Sequence, residues 1–212
     1  MCYYTQQGKS ANELTDFFNR NIDNHENIFQ SDFINGFSYP NIPIILDSKP
    51  NIIATNFTWG LIPENSNKDF RKHTLNARVE TLEEKASFVA SVNKRCLVIV
   101  TGYYDWHWND PAGKSKTKHV IYSQQTEVFC LAGIYSSWID KNNHEWNTYS
   151  IVTTAPNETM KYVHNRKAVD NDERMPIMLN TSDELSWLDH KNTPLDFAYP
   201  NYKPLLVSFT VE

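Results

Sequence analysis

Arg95–Trp106 reads RCLVIVTGYYDW: an apolar run, then a threonine and a glycine, then two tyrosines, an aspartate and a tryptophan. A short continuous apolar run bounded by turn residues marks a buried strand, and its GYYDW tail reads as a polar-aromatic turn at the strand's end. Working outward, the chain repeats strand-like pieces on both sides. FINGFSY (33–39), IPIILD (42–47) and NIIATNFTWG (51–60) precede it. HVIYSQQ (119–125), VFCLAGIYSSWI (128–139), TYSIVTTA (148–155), RMPIML (174–179) and PLLVSFTV (204–211) follow, with turn residues such as Lys141-Asn142-Asn143 between them.

Helical signals are fewer. Ser10 and Glu13 have the spacing of a capping box, and Leu14, Phe17, Phe18 and Ile22 follow at helical intervals, predicting a helix near 11–22. Thr81 and Glu84 suggest a second box opening a helix through 82–93, and shorter helices are expected near 156–164 and 182–189. Strands outnumber helices and do not alternate with them regularly. The expected class is therefore α+β: one domain over 1–212, with a strongly curved, barrel-like, mostly antiparallel sheet flanked by a few helices.

Hydrophobic residues make up 40% of the 212 and aromatics 13%, a composition of globular rather than disordered chains. No apolar run approaches the roughly 20 residues that cross a bilayer. The N-terminus lacks a basic segment followed by an apolar one, so a cytoplasmic protein without membrane association is expected. Three cysteines, Cys2, Cys96 and Cys130, form no CxxC, which argues against a disulfide framework or a thiolate metal site; neither metal nor cofactor is expected. Cys96 and Cys130 sit in apolar strands and read as small buried hydrophobes, whereas Cys2 has no such surroundings. The net charge of −5 does not advertise a nucleic-acid binder. Local basic clusters at 71–73, 94–95 and Lys114/Lys116/Lys118 still offer places to hold a backbone.

Cys2 raises the chemical question. After methionine removal its thiol and the chain's free amine share one carbon, and both are partly nucleophilic near neutral pH. An aldehyde meeting such a 1,2-aminothiol forms an imine with the amine, and the thiol then closes a five-membered thiazolidine. A carboxylate to manage the ammonium proton and a histidine to shuttle protons complete such a site. Asp105 and His164 are the candidates, with Asn76 as an amide that holds the thiol or a developing oxyanion. Taken singly, an Asp after an aromatic pair is usually a turn residue, and a lone His is more often a hydrogen-bonded structural side chain.

Together the segments MC at the start, WGLIP (59–63), NARVET (76–81), GYYDW (102–106), AP-N (155–157), His164 and RMPIML resemble the SRAP family, the SOS-response-associated peptidases or abasic-site processing proteins. The resemblance implies a thiazolidine crosslink between Cys2 and the ring-opened aldehyde of an abasic site in single-stranded DNA. It also implies removal of Met1 by the protein's own peptidase-like chemistry, and a weak lyase activity through the same imine. Carried over by motif, Cys2 is the nucleophile, Asn76 and Asp105 assist it, and His164 promotes ring opening or reversal. Arg78 and Arg174 are implied as phosphate contacts, and Trp59 and Phe70 as aromatic DNA contacts. A monomer whose partner is abasic single-stranded DNA is expected.

Three departures stand out. Asp105 occupies a position where the family usually has Glu, withdrawing the carboxylate by about 1.5 Å. A second tryptophan usual after WGLIP is missing, leaving Phe70 as its substitute. RKAVDNDE separates His164 from Arg174 and is expected to bulge outward. Two other functions fit the residues: an N-terminal-nucleophile cysteine amidohydrolase or peptidase, and a non-crosslinking single-stranded DNA-binding paralogue.

Overall fold

The computed structural model describes residues 1–166 and 173–211. In chain order the regular elements begin with β1 (Tyr4–Gln7), α1 (Ala11–Phe18), β2 (Asn21–Ile22), β3 (Ser31–Asn35), β4 (Ile44–Leu46) and β5 (Lys49–Ala54). They continue with β6 (Thr58–Trp59), β7 (Asn76–Arg78), β8 (Arg95–Val100), β9 (Gly102–Trp108), β10 (Lys116–Ser123) and β11 (Phe129–Ile139). Finally come β12 (Glu145–Thr154), α2 (Glu158–Val163), β13 (Met175–Pro176), α3 (Glu184–Leu188) and β14 (Leu206–Val211).

RCLVIVTGYYDW is two strands, not a strand and a turn. β8 lies inside a nine-stranded sheet between β4 and β11, while β9 lies inside a five-stranded sheet ordered β14-β10-β9-β1-β3. The chain changes sheets at Thr101, whose amide donates to the Gln6 carbonyl (2.8 Å) and whose Oγ1 accepts from Gly8 N–H (3.1 Å). All six residues of β8 are buried. Cys96, Val98 and Val100 face the core shared with Tyr103 and Ile121 of the other sheet, and Leu97 and Ile99 face a second core with Leu14 and Trp187. Each such fully buried aliphatic side chain contributes about 1.5–3 kcal/mol, so this one strand anchors both cores. Gly133 opposite it is demanded by close approach, since a Cβ there would lie 2.7 Å from Cys96 Sγ.

The α+β class and the mostly antiparallel pairing are as the sequence implies, but the barrel-like curvature is not. Among the described residues, the two sheets are open, the larger one branching at β12, with parallel pairing only where β6 and β7 meet β12 and β2 meets β5. The apolar alternation of the strands is equally satisfied by two open sheets sharing a core, which is why it did not discriminate. Helix α1 has its capping box but ends at Phe18, where Asn19 takes a left-handed conformation (φ 49°), and Ile22 belongs to β2.

No α-helix forms over 82–93; hydrogen-bonded turns and one 3-10 turn, Val89–Ser91, take its place. Leu82, Phe88 and Val92 are buried there while Val89 is half exposed. On an α-helix at about 100° per residue, Phe88 would lie about 120° around from Leu82, so broken turns bury both where one helix face does not. The helix expected over 182–189 is a 3-10 turn, Thr181–Asp183, running into α3. The outward bulge expected for RKAVDNDE falls mostly on 167–172, outside the described residues.

Candidate active site

The N-terminal strand carries Cys2 between the two sheets. β1 pairs with β9 (Tyr4 opposite Tyr104) on one side and with β3 (Tyr4 opposite Asn35) on the other. Antiparallel register then brings the residues before Tyr4 alongside those after Tyr104, that is, Asp105 and Trp106. Although it lacks the apolar-strand surroundings of Cys96 and Cys130 in the sequence, Cys2 is buried, 1% exposed, in the core between the sheets. Burial pushes its thiol up to about 12 from 9.0; the N-terminal ammonium works against that shift and the Asp105 carboxylate adds to it.

From the opposite sheet, β7 runs parallel to β12 and presents Asn76. Its Nδ2 donates to the Cys2 carbonyl oxygen at 2.8 Å. Asn76 thus holds the backbone of Cys2, not its thiol, and its Oδ1 is buried with no hydrogen-bond partner. Such an orphaned acceptor is uncommon and costs roughly 1–3 kcal/mol unless a donor arrives.

Asp105 is buried on β9, 7% exposed. Its Oδ1 accepts from Trp106 N–H (2.8 Å), and both carboxylate oxygens lie 2.8–2.9 Å from His164 Nδ1. A carboxylate only accepts, so Nδ1–H donates and Nε2 remains as the ring position for proton exchange. The missing methylene of Asp105 therefore does not prevent contact with His164. His164 caps the C-terminal end of α2, whose Met160 and Val163 are buried in the core. His119 lies directly across the ladder from Asp105 but bonds Ser208 Oγ through Nδ1 (2.9 Å). Burial, and then His107, lower the pKa of His119.

Met1, Tyr3, Tyr4, Trp106 and Trp108 line a cleft of about 330 Å³ together with Asp105 and His164. A wider groove of about 610 Å³, lined by Lys9, Tyr122, Gln124 and Glu127 among others, contains none of the candidate catalytic residues. The cleft carries cations that no motif marked. Arg166 and Lys116 line it, 5.3 and 4.9 Å from the Trp108 ring centre, and Lys118, outside the lining, lies 4.2 Å from the ring centre of the cleft residue Tyr104. Lys116 and Lys118 were legible only as an ordinary charge cluster. Arg166 and Trp108 had no signal, because only the β9–α2 contact brings them together.

The expected DNA contacts divide. Trp59 is fully buried, stacked on Tyr149 with its Nε1–H donating to the Leu75 carbonyl (2.8 Å), so it offers no face to a base. Arg174, 7% exposed, is also interior: its guanidinium forms a two-point pair with Glu80 (3.2 and 2.6 Å) and donates to the Thr153 carbonyl (2.7 Å). Those bonds hold the guanidinium to Glu80 and β12. Arg78 is exposed on β7, two residues from Asn76. Phe70 is 37% exposed, edge-on to His73, and is not among the residues lining the cleft.

Two expected outcomes follow from these placements. Arg174→Met should lower unfolding free energy by about 2–3 kcal/mol, read from urea denaturation, because Glu80 and the Thr153 carbonyl lose their donor together. In the chain that retains Met1, Cys2 should resist iodoacetamide at pH 8. A thiol at about 12 instead of 9.0 carries roughly 1000-fold less thiolate there, and mass spectrometry of the N-terminal peptide reads the difference.

The chain matches the family model described as SOS response associated peptidase (SRAP) over residues 1–207. It is 34% identical over 166 residues to the abasic site processing protein YoqW of Bacillus subtilis strain 168, covering 77% of this chain and 70% of that one. Abasic site processing protein HMCES of Xenopus tropicalis is 27% identical over 184 residues, 75% of this chain and 51% of its own. A crystal structure of a protein from Bacteroides thetaiotaomicron superposes with a TM-score of 0.84 at 29% identity, covering 100% of this chain and 92% of that one. A Bordetella bronchiseptica protein shares the fold, with a TM-score of 0.77 at 17% identity and full coverage of both chains.

Proposed function

The chain belongs to the SOS response associated peptidase family, and from that premise we propose that it processes abasic sites by binding single-stranded DNA and attaching Cys2 covalently to the lesion. The observation that carries this reading is the convergence on the N-terminus. Asn76 grips the Cys2 carbonyl, and the Asp105–His164 pair lines the cleft that also holds Met1. Ordinary packing has no need to place an amide, a carboxylate and a histidine around a chain terminus.

The reaction begins with hydrolysis of the Met1–Cys2 peptide bond, which frees the Cys2 amine beside Asp105. His164 and Asp105 move protons as the closed sugar of the abasic site opens to its aldehyde. The amine adds to the carbonyl carbon, water leaves, and an imine forms. The thiol then adds across the carbon–nitrogen double bond, its proton passing to nitrogen, and the thiazolidine ring closes. One C–N and one C–S bond form for one water lost, with no change in oxidation state. Diversion of the imine to β-elimination accounts for a weak lyase activity. Lys116, Lys118, Arg166 and the exposed Arg78 are the cations assigned to the phosphates, with Trp106 and Trp108 as aromatic surfaces for bases.

The test is a single-stranded oligonucleotide bearing one abasic site. The expected product is an adduct that survives denaturation, with the summed masses of the strand and the chain lacking Met1, less one water, and none with an undamaged strand. Turnover of amide substrates without any adduct would favour the amidohydrolase instead. Strand binding without an adduct would favour the non-crosslinking paralogue.

A further inference from the structure

His164 stands where α2 has already ended: its own backbone is non-helical (φ −95°, ψ 59°). A histidine at the end of a six-residue helix needs an external restraint if its ring is to hold one geometry. The restraint is found on the strand that carries Asp105. β1 pairs with β9 through Gly102, Tyr103 and Tyr104, and β10 covers the other edge as far as Trp108. At Trp108 a side chain occupies the edge that β1 does not reach. Trp108 N–H donates to Asn165 Oδ1 (2.7 Å), and Asn165 Nδ2 donates to the Trp108 carbonyl (2.9 Å). A carboxamide carries the same donor and acceptor as a peptide group, so Asn165 continues the ladder as a neighbouring strand would.

His107 adds a second tie. Its Nδ1 lies 2.6 Å from the Tyr162 carbonyl and its Nε2 lies 3.3 Å from Asn165 Nδ2. A carbonyl only accepts, so Nδ1 carries the proton and Nε2 accepts from Asn165, a single tautomer serving both bonds. The His107 ring also stacks on that of Tyr162, with centres 4.5 Å apart. Residues on both sides of His164 are therefore bonded to positions two and three beyond Asp105 on one strand.

We propose that Asn165 and His107 are positioning residues that hold His164 on Asp105, fixing the proton-transfer geometry of the site before any substrate arrives. The inference rests on the reading of His164 given under Proposed function. Neither residue needs to touch DNA for this role; both act by fixing the backbone that carries His164 against β9. Rate depends steeply on such placement, since a displacement of about 1 Å can cost about 100-fold.

The experiment uses the full chain and measures single-turnover adduct formation on the abasic strand, for Asn165→Leu and for His107→Phe, which keeps a ring to stack on Tyr162. Each is made alone and in a His164→Gln background. The expected result is a rate at saturating strand about tenfold or more below wild type, a half-saturating concentration within about twofold, and no further loss in the His164→Gln background. Asn165→Asp, which keeps the acceptor for Trp108 N–H, should retain more of the rate than Asn165→Leu. If Asn165→Leu does not accumulate as folded protein, Asn165→Ala and His107→Phe carry the same comparison. Wild-type rates in the single variants, or equal slowing with and without His164, would overturn the proposal while leaving the crosslinking reading intact. Should His164→Gln itself crosslink at the wild-type rate, the assigned role of His164 fails and this inference fails with it.

Discussion

Cys2→Ala is expected to eliminate the denaturation-stable adduct with an abasic strand while leaving noncovalent strand binding within about twofold, because the thiazolidine needs sulfur and DNA affinity resides in the cations and aromatics around the cleft. The variant retains an amine once Met1 is removed, so the imine still forms. Treatment with a hydride reductant should trap it, and that trapped product separates loss of the thiol from loss of the site. The complementary variant carries an uncleavable N-terminal extension before Cys2. It keeps the thiol but converts the amine to an amide, so neither the stable nor the trapped product should appear. Since Cys2 is buried in the core, both proteins should be compared at matched folded fraction; deleting its sulfur removes one small buried group and should cost about 1 kcal/mol. A stable adduct from Cys2→Ala would remove the thiol from the mechanism.

Asp105→Asn should lower the rate of adduct formation by about 100- to 10,000-fold, the range spanned by positioned general acid–base groups. The carboxylate accepts from the Trp106 amide and from His164 Nδ1 at once, so a neutral amide changes the partner offered to the imidazole and removes the negative charge that acts on the Cys2 thiol. His164→Gln should fall in the same range, and the double variant should be little slower than either single one, as expected of groups that act as a unit. The single-turnover rate at saturating strand is the measurement. Full additivity would show that the two act separately despite their 2.8 Å contact.

The thiol also sets an alkaline limit for the Met1-bearing chain. Its folded pKa lies above the unfolded value, so the unfolded state loses its proton first as pH rises. The stability contributed by keeping Cys2 neutral is complete below pH 9.0 and declines from there toward about 12.

Much of the fold was readable as pattern. The capping box of α1, the strands on either side of RCLVIV and the burial of Cys96 and Cys130 each rest on local chemistry that a short window displays. The failures share one cause. The polar and aromatic residues of GYYDW suit a turn, yet it is a strand, held between the hairpin partner β10 and β1, which is distant in sequence. The helix over 82–93 rests on the capping-box signal of Thr81 and Glu84 alone, and turns bury Leu82, Phe88 and Val92 in its place.

The site divides along the same line. By itself the sequence determined which side chains are chemically able to act: a thiol beside the chain's own amine, an amide, a carboxylate and an imidazole, because reactivity belongs to residue type and the motifs order those types along the chain. Only the tertiary structure decided what each one touches. It placed Asn76 on the Cys2 carbonyl, joined Asp105 to His164 through the β9–α2 contact, committed Arg174 to Glu80 and Trp59 to the core, and brought Arg166, Lys116 and Trp108 to the cleft. Strand pairing and core packing act between residues far apart in the chain, so those partners become visible only once the two sheets close over the N-terminus.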